Sequence, residues 1–361
     1  MPSTMNENRV TPQRPADPEQ AIRKTVGSVP VGGRLPSIRE FRDRFGLGQA
    51  TVVRILTKLR DEGLIVVKPK SGSYRSEPHE LPIYLVYRHQ TQDLRSRGFY
   101  GEFISQLILG LTEHGHAVRL HAVSDRDEFV DLLGNIGSTN SRILTFGIKS
   151  SDLEYTQNRD TVNYTAVHVL PDLIGQVPAS VNIDDRQIIR LQLEHLVAKG
   201  HKRIAYLHRY NESKWVRAES MRWTSFHEEA VRLGISLRPE WLRFVGHDPA
   251  LIDGAIDGIL DLKEKPTALV LSGDRQAQHV YPAIKKKGVA IGKDLAVVSV
   301  NDMVWCEYTD PPLTSVRVSV SAGVQLVTKI LDQLEAGDDP TSEFILPELI
   351  ERGSSDCGLV S

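Results

Sequence analysis

From Leu81 onward, short runs of β-branched and other apolar residues alternate with amphipathic helical stretches, and this alternation constrains the fold more than any other feature. PIYLVYR precedes a helix over 99–114, and AVRLHAV precedes one from Asp125. RILTFGI, YTAVHVL and SVNI follow, then a helix over 184–200. The style repeats with RIAYLHR, a helix at 216–233, LRFVG, a helix at 249–262, TALVLSG, a helix at 275–287 and LAVVSVN. Apolar strands interleaved with helices predict an α/β fold in which parallel sheets are covered on both faces. The strands are too many for one compact sheet, so two lobes are expected. A helix at 319–336 and the closing strand FILPELI would cross back between them. The expected lobes are 83–199 with 319–341, and 200–318 with 342–356.

The first eighty residues follow different rules. Residues 1–16 are polar and aperiodic, which predicts a disordered arm. Asp17-Pro18 supplies an N-cap and a first-turn proline for a short helix, broken by Gly27, Pro30, Gly32 and Gly33. Ser37 and Glu40 have the spacing of a capping box, which starts a second helix with Phe41 and Phe45 facing inward. Gly46-Leu47-Gly48 is a turn, and a third helix runs from Gln49 to Glu62 before Gly63. Two β-prone pieces, LIVVK and SYR, flank the break PKSG and predict a hairpin. The expectation is a winged helix-turn-helix over 17–75, a linker over 76–82 and a body over 83–356.

Charge divides along the same line. Of the 44 Lys and Arg, 14 fall in residues 1–75, against 7 of the 46 Asp and Glu. The head is therefore net +7 and the remainder net −9. A basic head on an acidic body fits a head that meets a polyanion, the other reading being a solvated basic face. On the third helix Val52, Ile55, Leu56 and Leu59 recur at helical spacing and predict core. The opposite face carries Gln49, Ala50, Val53, Arg54 and Lys58. In the major groove of duplex DNA, Gln suits adenine, Arg suits guanine and an apolar Val suits a thymine methyl. Thr51 is placed for a phosphate, Arg39, Lys68 and Lys70 for the backbone on either side, and Gly72 lets the hairpin tip approach a groove.

Residues 32–74 resemble the winged helix of the gluconate-repressor (GntR) family. LPSIRE, the stretch from Gly46 through Thr51-Val52, LRDEGLI and the glycine and aromatic of the hairpin carry the likeness. It implies operator contacts at Arg39, Gln49, Thr51 and Gly72.

In the body, ligands of open α/β folds bind beyond the C-terminal ends of the strands. The polar residues there are Arg88, Gln90, His168, Asp184, Asp185, His208, Asp274, Asn301 and Asp302. Asp184, Asp185 and Asp274 also sit where helix N-caps belong. Residues 82–356 resemble the effector domain of the lactose/galactose-repressor (LacI/GalR) family, which shares the two-lobed fold of periplasmic sugar-binding proteins. The landmarks are VNIDDRQIIRLQLEHLVAKGHKRIAYL, MRWTSFHEEA, PTALVLSGD, LAVVSVND and PPLTSVR. The likeness implies a sugar held by Arg222, Asp274 and Asn301, an apolar wall from Phe226 or Trp305, and Phe99 and Tyr100 at the mouth of the first lobe. Joining the two types of domain is the arrangement of arabinose-repressor-like regulators.

The combined expectation is a homodimeric repressor on an inverted-repeat operator, released when a small effector closes the lobes about crossovers near Gly200, Val318 and Ser342. A nucleobase effector or a co-repressor is the alternative. An α/β enzyme is disfavoured, because no GxGxxG follows the first strand and no Walker loop or catalytic triad order is present. His114, His116 and His121 lack metal spacing, so neither a metal nor a cofactor is expected. Cys306 and Cys357 make no disulfide framework. With no 18-residue apolar run and no apolar leader in MPSTMNENRVTPQRPADPEQ, neither a membrane span nor secretion is expected, which leaves the cytoplasm.

Overall fold

The computed structural model describes residues 14–15, 17–61, 63–68, 71–76, 82–88, 98–136, 141–149, 152, 164–171, 179–209, 217–246, 248–336 and 338–357. The expected arm (apart from 14–15), most of the 76–82 linker, Lys70 and Gln90 lie outside them, as does the side chain of Arg88.

The head packs α1 (Pro18–Ser28), α2 (Ile38–Phe45) and α3 (Gln49–Asp61) against a hairpin of β1 (Ile65–Lys68) and β2 (Gly72–Arg75). Asp17 caps α1 by accepting from Glu19 and Gln20 amides. That helix continues through Gly27 to Ser28, one residue past the expected break. The Ser37–Glu40 capping box is complete, and Gly46, at φ +61°, ends α2 in the left-handed conformation that glycine adopts without a Cβ clash. Ile22, Val26, Leu35, Phe41, Val52, Ile55, Leu56, Leu59 and Ile65 form one core.

The body's elements run β3 (Ile83–Arg88), α4 (Phe99–Glu113), β4 (Val118–Val123), α5 (Arg126–Ile136), β5 (Ser141–Phe146), β6 (Tyr164–Val169), β7 (Ser180–Ile183) and α6 (Asp185–Ala198). They continue as β8 (Ile204–His208), α7 (Arg217–Arg232), β9 (Leu242–Phe244), α8 (Pro249–Leu260), β10 (Ala268–Leu271), α9 (Ala277–Lys286), β11 (Ala296–Asn301), β12 (Thr314–Arg317), α10 (Val320–Ala336), β13 (Glu343–Ile345) and β14 (Glu348–Ile350). Among the described residues they build two six-stranded sheets, ordered β13-β7-β6-β5-β3-β4 and β14-β12-β11-β10-β8-β9. All pairings are parallel except β12–β14.

The crossovers depart from two of the expected positions. Ile189, Leu193 and Leu196 of α6 pack on β8, β10 and β11, so α6 belongs to the second lobe and the chain crosses at Ile183–Asp184 rather than near Gly200. Val318–Ser319 is the second passage, as α10 returns to pack on α4, β6, β7 and β13. FILPELI is not one strand. It breaks at Leu346-Pro347, giving β13 to the first sheet and β14 to the second, so the third passage lies beyond Ser342. Proline lacks the amide that a continuous ladder needs, which accounts for the break.

Candidate functional sites: the basic head and the interlobe cleft

On α3 the outward face is as the periodicity predicts. Gln49, Ala50, Val53 and Arg54 are exposed, and Thr51 is half-buried. Arg54 has no partner among the described residues. Arg39 is almost fully exposed and only loosely paired with Asp43, at 3.8 Å. Lys58 departs from expectation. Its Nζ lies 3.0 Å from Glu19 on α1, a pair that Arg23 joins at 3.0 Å, so this lysine ties two helices of the head together instead of standing free for a groove. The two cations hold the Glu19 carboxyl below its ordinary range, against the opposing effect of burial.

In the hairpin, Lys68 lies over the Tyr74 ring at 4.8 Å, and Gly72 has φ +114°. A Cβ at Gly72 would stand 3.3 Å from Nε of Arg34. Arg34 also bridges Tyr74 by its backbone, so an exposed cation lies beside the hairpin tip. Sequence reasoning passed over Arg34; its signal was a basic residue directly before LPS, where the chain runs alongside the hairpin. Arg75 anchors the hairpin from Nη1 to the carbonyls of Gly27, at 2.7 Å, and Val29, at 2.5 Å.

In the body the cleft is best defined by a quartet from the second lobe. Arg222 on α7 is buried and donates from Nε to Asp185 Oδ1 at 2.8 Å and from Nη1 to the Ser272 carbonyl at 3.1 Å. Arg209, just past β8, pairs through Nε with Glu219. Its backbone amide donates to Ser272 Oγ at 2.8 Å, so the end of β10 organises both arginines. From the first lobe, Tyr100, edge-on to Phe146 at 6.1 Å, lies within electrostatic reach of all four charges. Burial drives its hydroxyl above the ordinary phenol range, and Arg209, Arg222, Asp185 and Glu219 are the charges it feels.

The other expected residues fall on both sides of the line. Asp184 is a helix N-cap, accepting from the Gln187 amide at 2.9 Å. Phe99 is core, edge-on to Phe103 at 5.8 Å, so only Tyr100 of that pair meets the cleft. Phe226 is fully buried and stacks on Tyr206 at 4.6 Å. It cannot serve as a wall, because its ring is turned onto the sheet. Trp223 takes that place: half-buried, it packs on Phe244 at 4.7 Å and on His208 at 5.3 Å. Asp274 is enclosed, accepting the Met303 amide and the Ser315 hydroxyl at 2.8 Å each, and burial raises its carboxyl to about 6. It supports the loop after β11 from beneath instead of reaching a ligand. Asn301 is half-exposed at the end of β11, with φ +100°. Trp305 lies half-buried between the two largest described cores, its indole N–H without a partner among the described residues. His168 is closed off by Thr145 at 2.7 Å and pushed down to about 4 by burial. His208 is likewise pushed down to about 4, first by burial and then by Arg222 and Arg209.

Among the described residues no cluster of three or more His, Cys, Asp or Glu could hold a metal ion, and no helix is long and apolar enough to cross a membrane.

Comparison with known proteins divides the chain in the same way. Residues 19–74 match the gntR family of bacterial regulatory proteins, and residues 193–355 match a periplasmic binding protein-like domain. The HTH-type transcriptional regulator reg1 of Streptomyces lividans is 31% identical over 329 residues, spanning 86% of this chain and 94% of that protein. MalR of Streptomyces coelicolor, another HTH-type transcriptional regulator, is 27% identical over 327 residues with the same coverage, 86% and 94%. Among solved structures, the Escherichia coli transcriptional repressor ascG superposes with a TM-score of 0.65 at 19% identity, covering 76% of this chain and 98% of that one. The regulator CelR in complex with cellobiose gives 0.62 at 19% identity, covering 88% and 99%. A gntR-type head, a two-lobed body and this extended identity together place the chain in the family of HTH-type bacterial transcriptional regulators of the LacI/GalR kind, as a DNA-binding regulator and not an enzyme.

Proposed function

We propose that this regulator is a cytoplasmic homodimeric repressor, made of a DNA-binding head over 17–75, a linker over 76–82 and an effector-binding body over 83–356, and that a neutral sugar releases it from an inverted-repeat operator. The observation that carries the reading is the internal pairing of the quartet. Each arginine is matched by a carboxylate, Arg222 by Asp185 and Arg209 by Glu219, so the described cleft has directional donors and acceptors without excess charge. Sugar hydroxyls both donate and accept, and such a set suits them better than a phosphorylated ligand, which would call for unpaired cations. Trp223 and Phe244 offer apolar faces for a sugar ring beside the quartet. CelR was solved with cellobiose, which makes that disaccharide a first probe.

In the head, Arg39, Gln49, Thr51, Val53, Arg54, Lys68 and Gly72, with Arg34 added, form the operator face. Lys58 is left out because Glu19 holds it. Closure about the three passages changes the placement of the two heads. A coupling of about 1–3 kcal/mol between the sites would suffice to switch a gene.

The test is a thermal-shift panel of pentoses, hexoses, disaccharides including cellobiose, sugar phosphates and purines, followed by duplex-binding anisotropy with each hit. A ligand at 100 times its dissociation constant adds about 2.7 kcal/mol of stability. The expected result is stabilisation by an uncharged sugar that also weakens duplex binding. Stabilisation by purines alone, or by sugar phosphates alone, overturns the reading.

A further inference from the structure

Asn301 and Asp302 close β11 with two consecutive left-handed residues, at φ +100° and +51°. Residues with a Cβ hold that conformation only where their surroundings impose it. Three contacts impose it here. The Asp302 amide donates to Ser315 Oγ at 3.1 Å. Arg317 donates to Asp302 Oδ2 from Nε at 2.8 Å and from Nη2 at 2.7 Å. Arg352 donates from Nη1 to Asp302 Oδ1 at 2.6 Å. The carboxylate is only 2% exposed.

The two arginines come from either side of the lobe crossovers. Arg317 ends β12, directly before the Val318–Ser319 passage. Arg352 lies two residues past β14, the strand that begins just after Leu346-Pro347. Asn301, Arg317 and Glu348 stand in one row across β11, β12 and β14. Arg352 is itself fixed by the Leu313 carbonyl at 2.8 Å and Glu307 at 3.5 Å.

We propose that Asp302 is a positioning residue for the regulatory response: it clasps the cleft-facing turn at Asn301 to two of the three crossovers through one buried carboxylate. A ligand that engages Asn301 then loads both passages at once, and the clasp carries its effect toward the heads. This rests on the reading of the body as a clamp that closes on an effector, but its test does not require the effector to be known.

The test uses the full chain, and a duplex selected from a random pool by the wild-type protein. Hydrogen exchange is followed over 316–322 and 344–352, and duplex affinity is measured well below the melting temperature. Asp302→Asn is expected to speed exchange at both passages at least fivefold and to change duplex affinity at least threefold, although residue 302 is not in the head. Adding Arg352→Met to Asp302→Asn should change little more, because both act through the same pair. Faster exchange confined to 300–306, an unchanged duplex affinity, or fully additive effects would each overturn the clasp, since a merely structural residue lowers melting without moving DNA binding. If Asp302→Asn does not fold, the exposed-side variant Arg317→Met is read with the same two measurements. A wild-type chain that no sugar stabilises defeats the sugar reading alone and leaves this test intact.

Discussion

Arg222 Nε lies 2.8 Å from Asp185 Oδ1, and with the Ser272 carbonyl at 3.1 Å this aims the guanidinium before any ligand arrives. Lysine keeps the charge but loses the planar fork. Arg222→Lys is therefore expected to weaken sugar binding at least tenfold while duplex binding without sugar stays within twofold of wild type. Thermal-shift titration and anisotropy check the two halves. A titration curve that overlays the wild type removes Arg222 from the ligand site.

The head separates exposed, loosely held cations from tied ones. Arg39→Ala should lower the slope of log affinity against log salt by about 0.9, the share of one phosphate contact. Arg54→Ala should cost about 1–3 kcal/mol of discrimination between selected and scrambled duplexes. Lys58→Ala should leave the salt slope unchanged, because its partner is Glu19. Salt titrations of the three variants would refute this assignment if Lys58→Ala lowered the slope as much as Arg39→Ala.

Acid should weaken the fold through His168. Burial pushes it down to about 4, so between an ordinary pKa of 6.5 and about 4 the unfolded chain binds a proton that the folded chain excludes. Its contribution is fully present above pH 6.5 and is lost as pH falls through that window, up to about 3 kcal/mol. Asp274 has the opposite sign: its carboxyl is raised to about 6, so the folded form gains relative stability on acidification from pH 6 toward 3.8. His208, also at about 4, acts with His168, and together they outweigh Asp274. Melting temperature should fall from pH 7 to 5, and fall less steeply in His168→Gln. Identical slopes in the two proteins would contradict the assignment.

Gly292 tests close packing at the base of the second lobe. Its φ is +76°, and a Cβ there would stand 2.1 Å from the Gly353 carbonyl oxygen. Gly292→Ala should destabilise by about 2–4 kcal/mol, combining left-handed strain with a backbone clash. Gly288 has a similar φ of +69° but open space around it, so Gly288→Ala should cost only about 1–2 kcal/mol. Denaturant melts of the pair measure the difference, which is the clash alone.

Local signals were legible in the sequence because they act between residues close along the chain. The caps at Asp17 and Ser37, the turn at Gly46 and the buried stripe of α3 all fall where spacing places them. Choices made by distant partners were not legible. Phe226 and Trp223 are three residues apart on one amphipathic helix and both stack on Tyr206, and only the surrounding sheet decides that Phe226 is core while Trp223 turns to Phe244 and His208. Asp274 follows a strand as a ligand residue should, yet the amide of Met303, 29 positions away, holds it inward. The side of the sheet that α6 covers, and hence the first crossover, depends on contacts with β8, β10 and β11 that periodicity does not encode. Lys58 lies on the outward face by helical count, but its long side chain bends back to α1.

Division of one short segment between two sheets has a consequence for biosynthesis. One edge strand of each sheet, β13 or β14, comes from residues 343–350. The first sheet lacks a strand until residue 345 has left the ribosome and the second until residue 350, whereas every residue of the head's core has emerged by Ile65. The DNA-reading part is thus ready early in synthesis, and the sensing part matures in a single late step that completes both lobes together.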